Sequence, residues 1–350
     1  EHKDYQPEKY RWGFMNKSGQ LVIKDDFDEA RSFAEGLALV RKGGKWGYVN
    51  KFGSIIIRPQ YKSAWSFVGG RARVQTFDQK MGFIDQKGNW IAPAVYDLAE
   101  DFSEEKALVM QAGKYGFIDQ DGAVVIELSF EKAWPFKNGM AKIKQANQLG
   151  FIDQKGKVKI EPKFEQMRYF SDDMARVTLD GKYGYINKQG QLQINYRFKD
   201  ARDFHQSAAV AKVEDQFGLI DKKGNWLVQA QYDDMWYANE GKWAILKEGK
   251  YGLINAKGRA ITPTIYEQIY AFSEQFAAYQ LNGLWGYLDV NGDALTAPSF
   301  GLVWDFKGGV ARVGTSKGIG YINEKGQLIL RPRFIDVRDF SEGLARVQVY

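Results

Sequence analysis

The stretch Lys45–Ile57 reads KWGYVNKFGSIII: a Trp-Gly pair, an Asn three residues after that Gly, and a second Gly six residues after it. It is one copy of many. Glycines recur at Gly13, Gly47, Gly82, Gly116, Gly150, Gly184, Gly218, Gly252, Gly286 and Gly320, and every interval is 34 residues except one of 35. A period of this length marks a repeat architecture in which each unit is one supersecondary motif. Positions below are counted from these first glycines.

At position 6 a second glycine follows in all ten copies, from Gly19 to Gly326, and position 3 is always Asn or Asp. Asn and Asp side chains accept hydrogen bonds from backbone two residues on, and Gly supplies a positive φ, so each D-x-K-G is a turn with a mechanism. The flanking segments, such as Trp46–Val49 and Ile55–Ile57, are rich in aromatic and β-branched residues and read as strands. Upstream, Ala72 and Val74, Ala175 and Val177, and Ala345 and Val347 alternate with period two, a third strand joined by a short Gly-containing hairpin. About three antiparallel strands per period are expected. The rest of the period is a linker with two aromatics, Phe or Tyr at position 14 in all ten copies and Phe at position 20 in nine, Ala238 being the exception.

These residues, KWGYVNKFGSIIIRPQYKSAWSFVGGRARV among them, resemble the WG-repeat family of bacterial proteins over essentially the whole chain. The Trp itself gives way to Met81, Tyr115, Leu149, Tyr183, Phe217, Tyr251 and Ile319, which keep an apolar body and lose the indole N–H, so the position is read as packing. The resemblance implies repeated β structure and a binding or scaffolding role, and no catalytic residues come with it.

A 34-residue unit is too small to bury its own apolar set, so units must stack and share a core. The expectation is an all-β, single repeat-array domain over residues 1–350, with ten WG-type repeats over about 11–350 and residues 1–10 as an N-terminal cap strand. Two closures are open. One is an open β-superhelix or solenoid, expected first because propeller blades usually hold about 40 residues and ten would be many. The other is a propeller-like ring, in which the final LARVQVY pairs with Trp12–Asn16.

Composition is that of a folded chain, with 44% hydrophobic and 26% charged residues. The formal charge of +6 comes from 49 basic and 43 acidic residues that are interspersed, which counts against a nucleic-acid groove. No apolar run approaches the roughly 18 residues of a membrane-spanning helix. Zero cysteines exclude thiol catalysis, disulfides and Cys-based metal sites. Only two histidines exist, His2 and His205, so a Ser-His-Asp arrangement has no support, and His205 is read as a solvated loop residue. Acid pairs such as Asp172-Asp173 and Asp233-Asp234 suit a glycosidase by residue type, but they sit in turns that recur in every unit whereas an active site occurs once. DQDGA at Asp119–Ala123 lacks the remaining ligands of a calcium loop. The chain is therefore expected to be no enzyme, with no cofactor and no metal.

Function is sought where the repeats vary. Position 18 reads Arg31, Trp65, Glu100, Trp134, Arg168, Arg202, Trp236, Tyr270, Trp304 and Arg338, a column of cations and large aromatics beside small residues such as Ala30, Ala64, Ala99, Ala133 and Ala201 at position 17. The binding candidates are Arg31, Trp65, Trp134, Arg168, Arg202, Trp236, Tyr270, Trp304 and Arg338. The competing account is packing, with Trp covering the linker aromatics and Arg laying its stem on the same surface. A second row, Arg73, Lys142, Arg176, Arg312 and Arg346 interrupted by Leu39, Leu108, Val210, Ala244 and Ala278, is read as a solvated face. The expected function is a scaffold for a protein partner, with glycan binding as the alternative. A start at Glu1 rather than Met reads as trimming, and with the resemblance it sets the expectation of a periplasmic, cell-surface or secreted protein, the cytoplasm being the alternative.

Overall fold

In the computed structural model, residues 11–334 and 336–349 are described; the segment 1–10, expected as a cap strand, and His2 lie outside them. Among the described residues the regular structure is entirely β, and no helix is long and apolar enough to cross a membrane. The chain forms two compact units, one made of the segment up to Pro135 with Lys307–Tyr350 and the other of Phe136–Phe306.

Each repeat is a small antiparallel sheet. In the first unit, Glu29–Ala34, Leu37–Lys42, Lys45–Asn50 and Ile55–Tyr61 pair in chain order, as do Ser63–Ala64, Arg71–Gln75, Met81–Asp85 and Trp90–Tyr96. In the second, Gln166–Met167, Ala175–Leu179, Lys182–Ile186 and Leu192–Phe198 repeat the pattern. In eight of the ten sheets among the described residues the expected three strands are present, and a fourth precedes them. It is often only two residues long and is built from positions 16 and 17 of the linker. The turns form as the sequence dictates. Asn50 Oδ1 accepts from the Phe52 and Ser54 N–H groups at 3.0 and 2.9 Å, and Gly53 takes φ of +82°. Asp153 does the same for Lys155 and Lys157 at 2.9 and 3.0 Å.

Cores lie between consecutive sheets. Tyr48, Ile57 and Tyr61 of one sheet enclose a cluster with Phe67, Ala72 and Val74 of the next, while Val49 and Val40, on the opposite face, pack with Phe14 and Phe33. Alternation puts successive side chains on opposite faces, so a sheet covered on both faces feeds two cores. The aromatics at positions 1 and 20 meet at the centre of each cluster: Tyr48 and Phe67, Tyr185 and Phe204, and Tyr321 and Phe340 have ring centroids 4.9, 4.8 and 5.0 Å apart.

The first glycine has a steric cause. Trp46 pairs with Tyr61 and Tyr48 with Ile57, so Arg58–Gln60 bulge opposite Gly47 alone. A β-carbon on Gly47 would stand 2.5 Å from Ile57 O and 2.6 Å from Pro59 N. At eight of the ten positions it would fall within 2.7 Å of the carbonyl ten residues on. Gly252 differs: its sheet has three strands, and the nearest atoms would be Thr264 Oγ1 at 2.9 Å and Pro263 O at 3.0 Å.

Ala238, the departure at position 20, is compensated by Trp243 in the slot that holds Ala72 or Ala209 elsewhere; both residues are buried, Trp243 at 1% exposure. Large and small have changed places, a swap that conserves volume.

The chain's ends correct the open superhelix. Leu344–Val349 pairs antiparallel with Arg11–Asn16 through six residue pairs, giving the first sheet the Ala-x-Val strand it lacks. This is the pairing expected of the propeller-like alternative. Its physical reason is that each terminal strand would otherwise leave an unpaired edge. The contacts beyond the ladder agree. Ser171 Oγ donates to Phe204 O at 2.6 Å and Ser273 Oγ to Phe306 O at 2.8 Å, each to the next repeat. Ser341 Oγ makes the same bond to Phe33 O at 2.7 Å, and Glu342 accepts from Gly36 N–H at 3.1 Å as Glu35 accepts from Gly69 N–H at 2.6 Å. The last repeat thus addresses the first as each repeat addresses its successor.

Two outcomes are expected. Gly218→Ala lowers stability by roughly 1–3 kcal/mol or more through overpacking, and by more than Gly252→Ala; equal thermal shifts would count against the bulge. Trp243→Ala costs about 3–5 kcal/mol, and adding Ala238→Phe restores a large part of it, measured as a coupling energy in denaturant unfolding.

Candidate functional site

Position 18 is held through its main chain. Arg168 N–H donates to Arg176 O at 3.0 Å, Arg202 N–H to Val210 O at 2.9 Å and Tyr270 N–H to Ala278 O at 2.8 Å. Where position 1 is Tyr, its buried hydroxyl donates to the position-18 carbonyl: Tyr48 to Trp65 O, Tyr185 to Arg202 O, Tyr287 to Trp304 O and Tyr321 to Arg338 O, all at 2.7 Å. Burial pushes the Tyr48, Tyr185 and Tyr321 hydroxyls far above the ordinary range, so they stay protonated donors. Ala30, Ala99, Ala133 and Ala201 beside the column are buried and Ala64 is half-buried. The column itself is nowhere buried. Arg31, Arg168 and Tyr270 are exposed, and Trp65, Glu100, Trp134, Arg202, Trp236, Trp304 and Arg338 are half-buried.

Within the unit Phe136–Phe306, three consecutive members converge. Trp236, Tyr270 and Trp304 line one cleft of about 350 Å³, floored by Ile269 and Val303 and edged by Asp305. The Tyr270 ring leans on Trp285, with centroids 4.8 Å apart. Others are occupied differently. Trp65 lies under Arg73, whose guanidinium carbon is 4.5 Å from the ring centroid, and packs on the core around Phe83. Trp134 has the Lys132 ammonium 5.2 Å from its ring centroid. Arg31 stands over Trp46 at 5.7 Å and near Glu29 at 3.9 Å. Arg202 pairs with Asp234 at 2.7 Å and Arg338 with Asp336 at 3.0 Å. Trp236 also packs on a core, the one around Ala238 and Phe272, while lining the cleft, so packing and display are combined differently from repeat to repeat.

The second row is not a solvated face. Arg312 is buried, Arg73 and Arg176 have side chains only 14% and 15% exposed, and Leu39, Leu108, Val210, Ala244 and Ala278 are buried. Each cation reaches into the next sheet. Arg73 Nη1 donates to Ala99 O at 2.7 Å, Lys142 Nζ to Met167 O at 3.4 Å, Arg312 Nη1 to Val337 O at 2.9 Å, and Arg346 to Ala30 O. Arg73 also meets Asp101 at 2.8 Å, Arg312 meets Asp339 at 2.6 Å, and Arg176 approaches Asp203 at 3.6 Å. Burial, helped by the charges of Arg31 and Arg338, pushes Arg346 down to about 10, still a cation at neutral pH. The sequence held a signal for this. Asp stands at position 19 after Arg73, Arg176 and Arg312, whereas after Leu39, Leu108, Val210 and Ala244 that position reads Ser66, Pro135, Tyr237 and Ala271; Ala278, followed by Asp305, and Lys142, followed by Tyr169, depart from the pattern.

His205 is only partly solvated. It is half-buried, and its ring stacks on Tyr237 with centroids 4.3 Å apart and planes 8° from parallel. Desolvation holds its pKa below the ordinary imidazole value, against Asp203 and Asp172 and with Lys137.

Tandem small antiparallel sheets, all but that of Gly252 with a glycine-gated bulge, define an all-β repeat protein. The chain belongs to the WG containing repeat family, which matches at residues 12–46, 46–80, 81–115, 115–148, 150–183, 183–216, 217–251, 251–285, 285–315 and 319–350. A comparison with curated proteins found no match. Among solved structures, a eukaryotic initiation factor is similar at 12% identity over 81% of this chain and 94% of that one, with a TM-score of 0.49. BamB from Moraxella catarrhalis is similar at 13% identity over 97% of each chain, with a TM-score of 0.37. The extracellular domain of a putative hybrid two component system from B. thetaiotaomicron is similar at 10% identity over 88% of this chain and 56% of that one, with a TM-score of 0.32. With TM-scores under 0.5, none of these likenesses says what this chain binds.

A depressed imidazole pKa means that the unfolded chain takes up the proton first, so stability is full above the ordinary value near 6.5 and falls as pH drops through it. The melting temperature is expected to fall between about pH 7.5 and 5.5, and His205→Phe to remove part of that slope; an unchanged slope would refute the stacked, desolvated ring.

Proposed function

We propose that this chain is a non-catalytic scaffold that binds a macromolecular partner, a protein, through its position-18 column, and that its ten sheets are the blades of a propeller. The carrying observation is the convergence of Trp236, Tyr270 and Trp304 on one cleft whose floor is apolar and whose edge is acidic. Large aromatics each offer about 150–250 Å² of rigid contact area and are enriched at the centres of protein interfaces. Asp305 at the edge suits a partner that brings a cation to the rim. A scaffolding role is supported by the work the acids already do: Asp85, Asp153 and Asp221 accept backbone N–H bonds in turns, and Asp101 and Asp339 neutralise buried arginines. The blade reading is supported by the Ser341 to Phe33 bond, which repeats the bond between successive sheets.

The test is the triple change Trp236→Ala, Tyr270→Ala and Trp304→Ala, compared with the parent chain in pull-downs from separated envelope and cytosolic fractions of the source organism. The expected result is a melting temperature within a few degrees of the parent and loss of the captured polypeptides. A folded triple variant that captures the same polypeptides overturns the proposal. Undiminished binding of the parent to isolated polysaccharide, with nothing proteinaceous captured, replaces it with the glycan reading.

A further inference from the structure

We propose a second, separate site: an anion-binding cleft within the unit Phe136–Phe306, made by Lys142, Gln166, Arg168, Arg176 and Thr178 with Asp200 at its border, that takes the carboxylate or phosphate of a small organic anion. The cleft measures about 360 Å³ and has Tyr183 and Leu149 as its apolar wall, room for a ligand of roughly monosaccharide size rather than a bare ion.

Three observations converge on it. First, Arg168 is the exposed arginine of its column to which no ion pair falls among the described residues, whereas Arg31, Arg202 and Arg338 have Glu29, Asp234 and Asp336. The residue two before it is Gln166, where Arg31 and Arg338 have their partners Glu29 and Asp336; Arg202 has Asp200 there and pairs instead with Asp234. An acid has been replaced by an amide that can donate. Second, Thr178 is 5% exposed, lines the cleft, and its hydroxyl has no hydrogen-bond partner among the described residues. A buried hydroxyl without a partner costs about 1–3 kcal/mol, and no other repeat has Thr at the corresponding position. Third, three cations face one lining carboxylate, Asp200, whose Oδ1 is taken by the Ala201 N–H at 2.7 Å.

The cations are not equivalent. Lys142 bonds Met167 O, and Arg176 lies 3.6 Å from Asp203 with its guanidinium carbon 5.5 Å from the Tyr183 ring centroid, so both are held in place by the fold. Fixed donors of this kind favour an oxyanion because they need no reordering, and a guanidinium matches a carboxylate or phosphate through two parallel N–H bonds. Arg168, exposed and without an ion pair among the described residues, is the cation that closes the set. The site does not draw on the aromatic cleft at Trp236, Tyr270 and Trp304.

The test uses the full chain at low ionic strength and three probes by isothermal titration: inorganic phosphate, glucuronate, and glucose as the neutral counterpart of glucuronate. The expected result is saturable binding of phosphate or glucuronate at one per chain, no binding of glucose, and a rise in melting temperature with the bound anion. Which of the two anions binds more tightly distinguishes phosphate from carboxylate. Arg168→Gln should weaken binding by about tenfold or more with the melting temperature of the free chain unchanged. Thr178→Val should raise the melting temperature of the free chain and still weaken binding, a combination that a purely structural hydroxyl does not give. No saturable binding of either anion, binding that survives both substitutions, or equal binding of glucose overturns the proposal.

Discussion

Everything in this molecule depends on the absence of one carbon atom. In every repeat but that of Gly252, the strand after the turn bulges three residues past the Trp-Gly strand, and its carbonyl lies where a β-carbon of the glycine would be. That close approach twists the sheet and sets the register on both sides of the bulge, placing Tyr61 beside Trp46 and Ile57 beside Tyr48. From this register the position-1 aromatic points into one core and its successor into the other. The glycine is therefore kept for space rather than for a left-handed backbone, unlike the position-6 glycines, which have φ between +73° and +88°. The Trp beside it can become Met, Tyr, Leu, Phe or Ile because it only packs.

Sheets this small have little to hold one to the next besides the shared core, and the structure adds polar ties of two kinds. Hydroxyl and amide side chains near position 21 bond the Phe carbonyl of the following repeat, and cations of the Ala-x-Val strand, buried at Arg312 and half-buried at Arg73 and Lys142, bond its position-17 carbonyl. Both use backbone acceptors that every repeat possesses. Only the donors need be encoded, and they can be omitted where Leu39 or Val210 fills the space with apolar contact instead. A charge buried without a partner is far more costly than an apolar replacement, which is why Asp at position 19 goes with Arg and seldom with Leu, Val or Ala. Arg346 has Ser32 at that place and lies over Trp12 at 5.4 Å, a cation–π substitute for the missing carboxylate.

Strand order, turn chemistry and the shared core were legible because each rests on a local rule repeated ten times: Asn or Asp at position 3, Gly at position 6, alternation in Ala-x-Val. What was not legible concerned relations between repeats. Arg or Lys in five of ten copies of a strand looks like a wet face when strands are read singly; read against position 19 of the following repeat, three of the five become ion pairs. The fourth strand escaped because two residues at positions 16 and 17 carry no periodicity. The pairing of the two ends depends on how far each sheet rotates from its neighbour, a quantity no residue pattern states. Of the candidate site, the column was visible as variation, but its division was not: Trp65 and Trp236 have the same residue type and spacing, and only the neighbours Arg73 and Tyr270 assign one to packing and the other to a cleft.

That division follows from how the column is anchored. Its amide bonds the adjacent strand, and in four repeats a buried Tyr hydroxyl holds its carbonyl, so the backbone is fixed from both sides without help from the side chain. A position fixed in this way accepts Arg, Trp, Glu or Tyr at little cost to the fold. At Trp65 the opposing residue is an arginine of the Ala-x-Val strand, and the ring is drawn into packing. Where it is Ala244 or Ala278, the aromatics beside them have no cation above them in that strand and turn their faces to the cleft. Trp304 stands opposite Arg312 and lines the same cleft, so small residues one strand away accompany the display of Trp236 and Tyr270 but are not required for it.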